Sequence, residues 1–198
     1  MVSTVLRWIL AGIIAWFALP ALVWWIFGAA QNINTAPEAH WYVYGGLALG
    51  VFVAPWWRLP SLLGTLVHEF AHATVCLMLF VKVRGISATF HKGGAVEHDA
   101  VGPIRTTCIA IAPYAIPFVL PGLLAGHHFA AGETRWILAG LICCAFPLRL
   151  AHVIRDMHRN WSGDACDLPR VGRPLSLVIV AATHLLLLRW ILFEIVGK

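Results

Sequence analysis

The chain has 198 residues, of which 60% are hydrophobic and only 12% are charged, and its mean hydropathy is +0.80. An ordinary soluble domain of this size does not reach these values, so the composition excludes that class and indicates a protein that crosses a membrane several times. The formal charge of +5 comes from arginines and lysines near the ends of apolar stretches. Such residues anchor a chain at lipid headgroups, and no basic stripe with interleaved aromatic residues indicates nucleic-acid binding.

Six apolar stretches are long enough to cross about 30 Å of hydrocarbon. We therefore predict an all-α polytopic membrane protein with about six transmembrane helices and a small membrane-associated β-hairpin between the third and the fourth. In chain order the stretches are Ile9 to Gly28, Trp41 to Trp57, Leu62 to Val81, Ile104 to Ala125, Trp136 to Ile154 and Leu175 to Ile195.

The second stretch carries two glycines four residues apart, Gly46 and Gly50. Residues at this spacing lie on one face of a helix, and glycine there lets a neighbouring backbone approach closely. The pair predicts close packing of this helix against another one.

The third stretch contains the sequence His-Glu-Phe-Ala-His, in which His68 and His72 are four residues apart. On a helix the two imidazoles fall on one face, about 6 Å apart along the axis, and can bind a single zinc ion. Glu69 lies beside them and can serve as the general base that activates a zinc-bound water. Ionisable residues in a membrane span are costly unless they are paired or bound, which favours a functional site over two packing histidines.

A short loop from Arg84 to His98 follows the third stretch, and its composition predicts a β-hairpin. Two segments with isoleucine, threonine, phenylalanine and valine flank Gly93 and Gly94, which can adopt the positive φ angles of a tight turn. A free hairpin edge near the metal could bind an extended substrate through backbone hydrogen bonds. His91 and His98 are candidates for polarising the scissile carbonyl, although histidines are also common in surface loops.

The fourth stretch carries three prolines at four-residue spacing, Pro113, Pro117 and Pro121. Each proline removes a backbone donor, so a helix here leaves carbonyl groups unsatisfied on one face. The prolines predict either a face that lines a hydrated cavity or a kinked or re-entrant segment.

A catalytic zinc usually has three protein ligands, so the two histidines require a third from elsewhere. We predict Asp164, which lies in a small-residue context just after the fifth stretch, with Asp167 as the reserve ligand. A carboxylate partly neutralises the zinc charge, whereas the competing interpretation makes Asp164 a helix N-cap at the membrane surface. The prediction requires the segment 160–167 to fold back to the depth of His72.

These features resemble the site-2 protease family of intramembrane zinc metalloproteases over residues 59–168. The resemblance rests on the histidine–glutamate motif within a hydrophobic helix and on the late aspartate. It implies a core of three transmembrane helices, zinc bound by His68, His72 and Asp164, and Glu69 as the residue that activates water. It also implies a comparable membrane-associated hairpin.

The sequence departs from the common family pattern at the third ligand. Gly163 precedes Asp164 and Ala165 follows it, whereas the usual motif is an asparagine–proline stretch leading to Leu-Asp-Gly. The short form looks like that of a compact branch whose motif reads Ser-Asp-Ala. The chain also has no room for the PDZ domain that some members carry.

The resemblance predicts three regions: an N-terminal helical pair (1–58), a catalytic core (59–168) and a C-terminal helix (169–198). The expected function is hydrolysis of a peptide bond in or near a transmembrane segment of a membrane-protein substrate, with one zinc per chain. The expected location is the cell membrane, as a multi-pass protein, with a partner protein that assists substrate recognition. Two alternatives stay open, a di-iron hydroxylase or desaturase suggested by ten histidines and a non-catalytic membrane scaffold that retains a metal site.

Overall fold

The computed structural model describes residues 4–30, 40–58, 61–89, 93–162 and 166–196 and is mostly helical. Helix α1 (Thr4–Ile13) continues through a π-helical segment (Ile14–Ala18) into α2 (Leu19–Ala30). The other elements are α3 (His40–Val53), α4 (Ser61–Met78), β1 (Val83–Thr89), β2 (Gly93–His98), α5 (Pro103–Ala115), α6 (Val119–Phe129), α7 (Gly132–Arg159), α8 (Asp167–Val171) and α9 (Arg173–Val196).

Three helices of the described chain are long and apolar enough to cross a membrane, or four if the bent pair of α5 and α6 counts as one span. The three are Val5–Ile26, Gly132–Arg159 and Arg173–Ile195. Helices α3 and α4 are apolar but shorter; α3, for example, ends at Val53 just before Pro55, after about 21 Å. The predicted number of six spans is therefore not confirmed and stays a prediction.

The predicted β-hairpin is confirmed and follows α4 directly. Phe80 has φ 55°, and the Val81 N–H donates to the Cys76 carbonyl at 2.8 Å, which closes the helix end and turns the chain into β1. Strands β1 and β2 pair antiparallel, with Ala88 opposite Gly94.

The predicted turn position within this hairpin is wrong. Gly93 and Gly94 both lie in β2, where Gly93 pairs with Thr89, so the connection between the strands falls at residues 90–92, outside the described residues. Gly93 has φ +78°, whereas Gly94 lies within β2, paired with Ala88 of β1.

The proline-rich segment forms two helices instead of one. Ile116 is extended, with φ −88° and ψ 115°, and it precedes Pro117. A residue before proline is driven out of the α region by a clash with the proline ring, so α5 ends there. Pro113 lies inside α5 and Pro121 inside α6.

The chain forms two compact units, each drawn from three segments. Unit 1 comprises residues 1–11, 58–116 and 156–180, and unit 2 comprises residues 12–57, 117–155 and 181–198. The predicted division into regions 1–58, 59–168 and 169–198 stays a prediction.

Each unit has its own apolar packing. In unit 1, Cys76, Val81 and Ile109 form a buried cluster where α4, the hairpin and α5 meet. In unit 2 the buried cluster is larger and comes from α6, α7 and α9: Leu120, Leu124, Ala139, Ile142, Leu187, Ile191 and Ile195.

The predicted close packing of the glycine pair is confirmed within unit 2. A Cβ atom placed on Gly46 would overlap the Gly140 carbonyl, and one on Gly50 would lie 2.5 Å from the Cys144 carbonyl oxygen. The backbones of α3 and α7 therefore touch along this face, which only glycine permits.

Candidate metal centre

Helix α4 and the start of α8 bring three metal-binding side chains together in unit 1. His68 and His72 lie one turn apart on α4, and their ring centroids are 5.0 Å apart. The Nε2 atoms of both histidines lie 3.3 Å from the same oxygen, Asp167 Oδ2. Asp167 thus lies where a third ligand to the two histidines is required.

The hydrogen bonding of His72 indicates that a cation belongs in this cluster. Its Nδ1 lies 2.7 Å from the Ile109 carbonyl oxygen, which can only accept, so Nδ1 carries the hydrogen and donates. In neutral His72 the free lone pair is then on Nε2, facing the Asp167 carboxylate at 3.3 Å. Two acceptors at this distance repel each other unless a proton or a metal ion lies between them.

The donor set and its spacing fit zinc. Nitrogen and oxygen ligands about 2.0–2.1 Å from a tetrahedral zinc are roughly 3.3–3.4 Å from each other. The two separations of 3.3 Å match this value, and one ligand atom from each of His68, His72 and Asp167 lies within 4.8 Å of the others. Within the described ranges, this is the one group of histidine, cysteine, aspartate or glutamate side chains that could hold a metal ion.

Burial and charge keep the carboxylate ionised. The side chains of His68, His72 and Asp167 are only 14%, 10% and 16% exposed. Burial by itself raises the pKa of the Asp167 carboxyl, but the two imidazoles lower it more, so its pKa lies below the usual range. An anionic ligand at this position offsets part of the charge of a divalent cation.

Glu69 is buried beside the histidines, at 6% exposure, and the hairpin packs directly on it. A Cβ atom on Gly94 would lie 2.5 Å from Glu69 Cγ and 2.7 Å from the Ser87 carbonyl oxygen. Real Cβ atoms do not come this close to other heavy atoms, so a glycine at position 94 leaves the space that the Glu69 side chain occupies.

Tyr114 lies beside the metal-binding cluster. It is fully buried, and its ring lies edge-on to His68 with the centroids 5.6 Å apart. Its hydroxyl has no hydrogen-bond partner among the described residues.

The structure brings together the two predicted histidines and the reserve ligand. Asp164, the predicted third ligand, lies outside the described residues, as does His91. His98 lies at the end of β2, and its Nδ1 is 2.7 Å from the Asp99 carbonyl oxygen; its suggested role as a carbonyl polariser stays a prediction.

Three residues near the centre escaped the sequence reasoning. Asp156, which follows the fifth apolar stretch, lies 3.9 Å from His68 Nδ1. Gly94 was taken as a turn residue, and Tyr114 as part of a span. The acidic character of Asp156 was the only usable signal, because neither Gly94 nor Tyr114 has a spacing that marks a metal site.

Comparison with known proteins gives one match. The family model described as Peptidase M50B-like matches residues 41–165, which is more than half of the chain. The matched range contains the histidine–glutamate motif and Asp164, and it ends two residues before Asp167. No curated protein matches the chain, and no solved structure matches it.

Proposed function

Because the chain belongs to the Peptidase M50B-like family, we propose that it is an intramembrane zinc metalloprotease that cuts a membrane-protein substrate in or near a transmembrane segment. The observation that carries the proposal is the convergence of His68, His72 and Asp167 on one point beside Glu69. A membrane scaffold that only retains a metal site needs the three ligands but not a buried glutamate beside them.

The zinc ligands in this proposal are His68, His72 and an aspartate from the segment after α7. The 3.3 Å separations support Asp167, and the sequence pattern supports Asp164. When bound, zinc supplies a Lewis acid and lowers the pKa of a water ligand to about 7.

Glu69 is the general base. Its carboxylate takes a proton from the attacking water while the water oxygen bonds to the carbonyl carbon of the scissile peptide. It then passes that proton to the amide nitrogen as the C–N bond breaks, so that a carboxyl and an amine product leave. Burial of Glu69 beneath the hairpin keeps other water from competing for this proton.

The substrate is an extended segment of a membrane protein. The hairpin supports this part of the proposal because its backbone packs on Glu69 and the described sheet has only two strands, so pairing edges remain for a third. A substrate helix hides its carbonyl groups in hydrogen bonds, so cleaved partners carry glycine, asparagine or proline near the cut. Leucines introduced there should protect them, and unchanged cleavage would contradict this requirement.

The setting is a multi-pass protein of the cell membrane with six spans. The support is that α3, α4 and the bent α5–α6 pair are apolar and add to the three long helices. A partner protein that assists substrate recognition is part of this proposal.

Metal analysis is the first test of this function. The protein purified in detergent should contain about one zinc per chain, and Asp164→Ala and Asp167→Ala should be measured beside it. Loss of zinc in Asp167→Ala alone supports the geometric ligand, whereas loss in Asp164→Ala alone supports the sequence prediction. Two irons per chain would indicate the hydroxylase alternative, and no metal would overturn the site.

Proteolysis needs a separate test because the substrate is unidentified. Wild type and Glu69→Gln should each be incubated with a detergent extract of membranes from the expression host, and newly formed protein N-termini should be identified by mass spectrometry. We expect new termini within or next to apolar segments in the wild-type sample only. Identical termini in the two samples would contradict the protease assignment.

A further inference from the structure

We infer that Asp156 is a positioning residue of the metal centre, whose carboxylate orients His68 and selects the tautomer that presents Nε2 to the metal. This inference rests on the zinc site of the proposed function. It concerns a residue outside the histidine–glutamate motif and outside the aspartate segment.

His68 lies between two carboxylates in unit 1. Its Nε2 is 3.3 Å from Asp167 Oδ2, on the side where the three ligand atoms converge. Its Nδ1 is 3.9 Å from Asp156 Oδ2, on the other side of the ring. The side chains of His68 and Asp156 are only 14% and 15% exposed, so solvent screens this contact weakly.

The two motif histidines follow the same pattern. His72 presents Nε2 to Asp167 and donates from Nδ1 to a fixed acceptor, the Ile109 carbonyl oxygen, at 2.7 Å. His68 presents Nε2 to the same aspartate, and the acceptor facing its Nδ1 is the Asp156 carboxylate. A carboxylate only accepts, so it favours the tautomer with hydrogen on Nδ1 and a lone pair on Nε2. Outer acceptors of this kind hold metal-binding histidines in place and raise their basicity.

Two further contacts of Asp156 involve an exposed partner or the backbone. Arg159 Nη1 lies 3.9 Å from Oδ1, but the Arg159 side chain is 70% exposed, and such ion pairs contribute little. Asn160 bonds to the backbone carbonyl of Asp156, at 3.0 Å from its N–H and 3.1 Å from Nδ2, and a side-chain substitution leaves these bonds in place. The oxygen that faces His68 is Oδ2, not the one nearest Arg159.

Zinc affinity tests the inference without a peptide substrate. The full chain in detergent would be stripped of metal, and its zinc affinity would be measured at pH 7 by competition with a fluorescent chelator. Asp156→Asn is the main variant, because the amide has the same shape but can donate to Nδ1 and favour the wrong tautomer. Arg159→Gln removes the competing partner, and Asp99→Asn alters a carboxylate that pairs with Arg84 instead of the metal centre.

We expect Asp156→Asn to bind zinc about 10- to 100-fold more weakly than wild type while still reaching one zinc per chain at saturation. Arg159→Gln and Asp99→Asn should keep the wild-type affinity. The visible spectrum of the cobalt-substituted protein should also change in Asp156→Asn, because the orientation of one ligand changes. The thermal unfolding of the metal-free protein should stay the same as in wild type. Asp156→Glu, which keeps the acceptor, should recover part of the affinity and serves as the test if Asp156→Asn does not fold.

Three results from the variants would overturn the inference. Unchanged zinc affinity in Asp156→Asn means that the carboxylate does not position His68. If Asp156→Asn binds no zinc even at saturation, Asp156 is a direct ligand. If Arg159→Gln lowers the zinc affinity as much as Asp156→Asn does, the effect comes from the end of α7 and not from the Asp156 carboxylate. If wild type itself binds no zinc, the result contradicts the proposed function, and this inference, which depends on it, is contradicted as well.

Discussion

Two pairs of histidines each lie beside a carboxylate, one pair in each unit, and they differ in spacing along their helices. His68 and His72 in unit 1 are four residues apart, and both lie 3.3 Å from one carboxylate oxygen. His127 and His128 in unit 2 are adjacent, and they lie 3.5 and 3.1 Å from one oxygen of a glutamate. Only the first pair belongs to a group that could hold a metal ion in the described part of the chain.

The difference follows from the spacing of the histidines along their helices. Adjacent helix residues point about 100° apart, so His127 is fully buried whereas the His128 side chain is 52% exposed. Both rings approach the same oxygen of Glu194 through Nδ1, one from a buried side chain and one from an exposed side chain. Ten histidines had left a di-iron enzyme open, but such an enzyme needs ligands for two metals, and the described residues hold only one group that could bind a metal ion.

The largest expected effect separates the two pairs by metal content. His68→Ala should reduce bound zinc from about one per chain to near zero, because a site with two ligands left holds zinc poorly. His128→Ala should leave the zinc content unchanged. Elemental analysis of both purified variants measures this, and equal zinc contents would remove the distinction between the pairs.

The next effect distinguishes Glu69 in unit 1 from Glu194 in unit 2 by the rate of substrate cleavage. Glu69→Gln should slow cleavage by about 10²- to 10⁴-fold while it retains zinc, because the amide cannot accept the proton from water. Glu194→Gln, measured on the folded fraction, should leave cleavage nearly unchanged. The rate is followed on any substrate found through its new N-termini, and retained activity in Glu69→Gln would exclude the general-base role.

A smaller effect tests the contact between the hairpin and the centre. Gly94→Ala should lower turnover on the order of 10- to 10²-fold with zinc retained, since the added methyl group displaces the Glu69 side chain or the hairpin backbone. Gly93→Ala is the matched control, because it strains a positive φ but places its methyl group in open space. If both variants lose the same activity, the effect comes from hairpin stability and not from the position of Glu69.

The smallest effect concerns unit 2, where packing should affect stability and not chemistry. Gly50→Ala should lower the free energy of unfolding by about 1–3 kcal/mol, because its methyl group meets the Cys144 backbone. Gly45→Ala, on the same helix with nothing within 4 Å, should be neutral or raise it by up to about 1 kcal/mol. Unfolding in detergent compares them, and zinc loss in Gly50→Ala would contradict the separation of roles.

Features that depend on neighbours along the chain were predictable from the sequence. His68 and His72 face one side because a helix repeats every 3.6 residues, and Gly46 and Gly50 share a face for the same reason. The hairpin was predictable from its strand composition, but its turn was misplaced because glycine also serves where another side chain needs the space. The bend after Ile116 follows from a proline next in the chain, whereas the sequence left open whether the prolines line a hydrated cavity or mark a kinked or re-entrant segment.

The amino-acid sequence by itself determined that this is an apolar, largely helical chain with a two-histidine metal motif, because composition and local spacing set these properties. Only the tertiary structure decided which distant groups meet that motif: Asp167 opposite both histidines, Asp156 behind His68, Tyr114 at its ring edge and Gly94 against Glu69. Those contacts join residues that are up to 99 positions apart. Their proximity results from how helices and strands pack, and no periodicity in a single sequence records it.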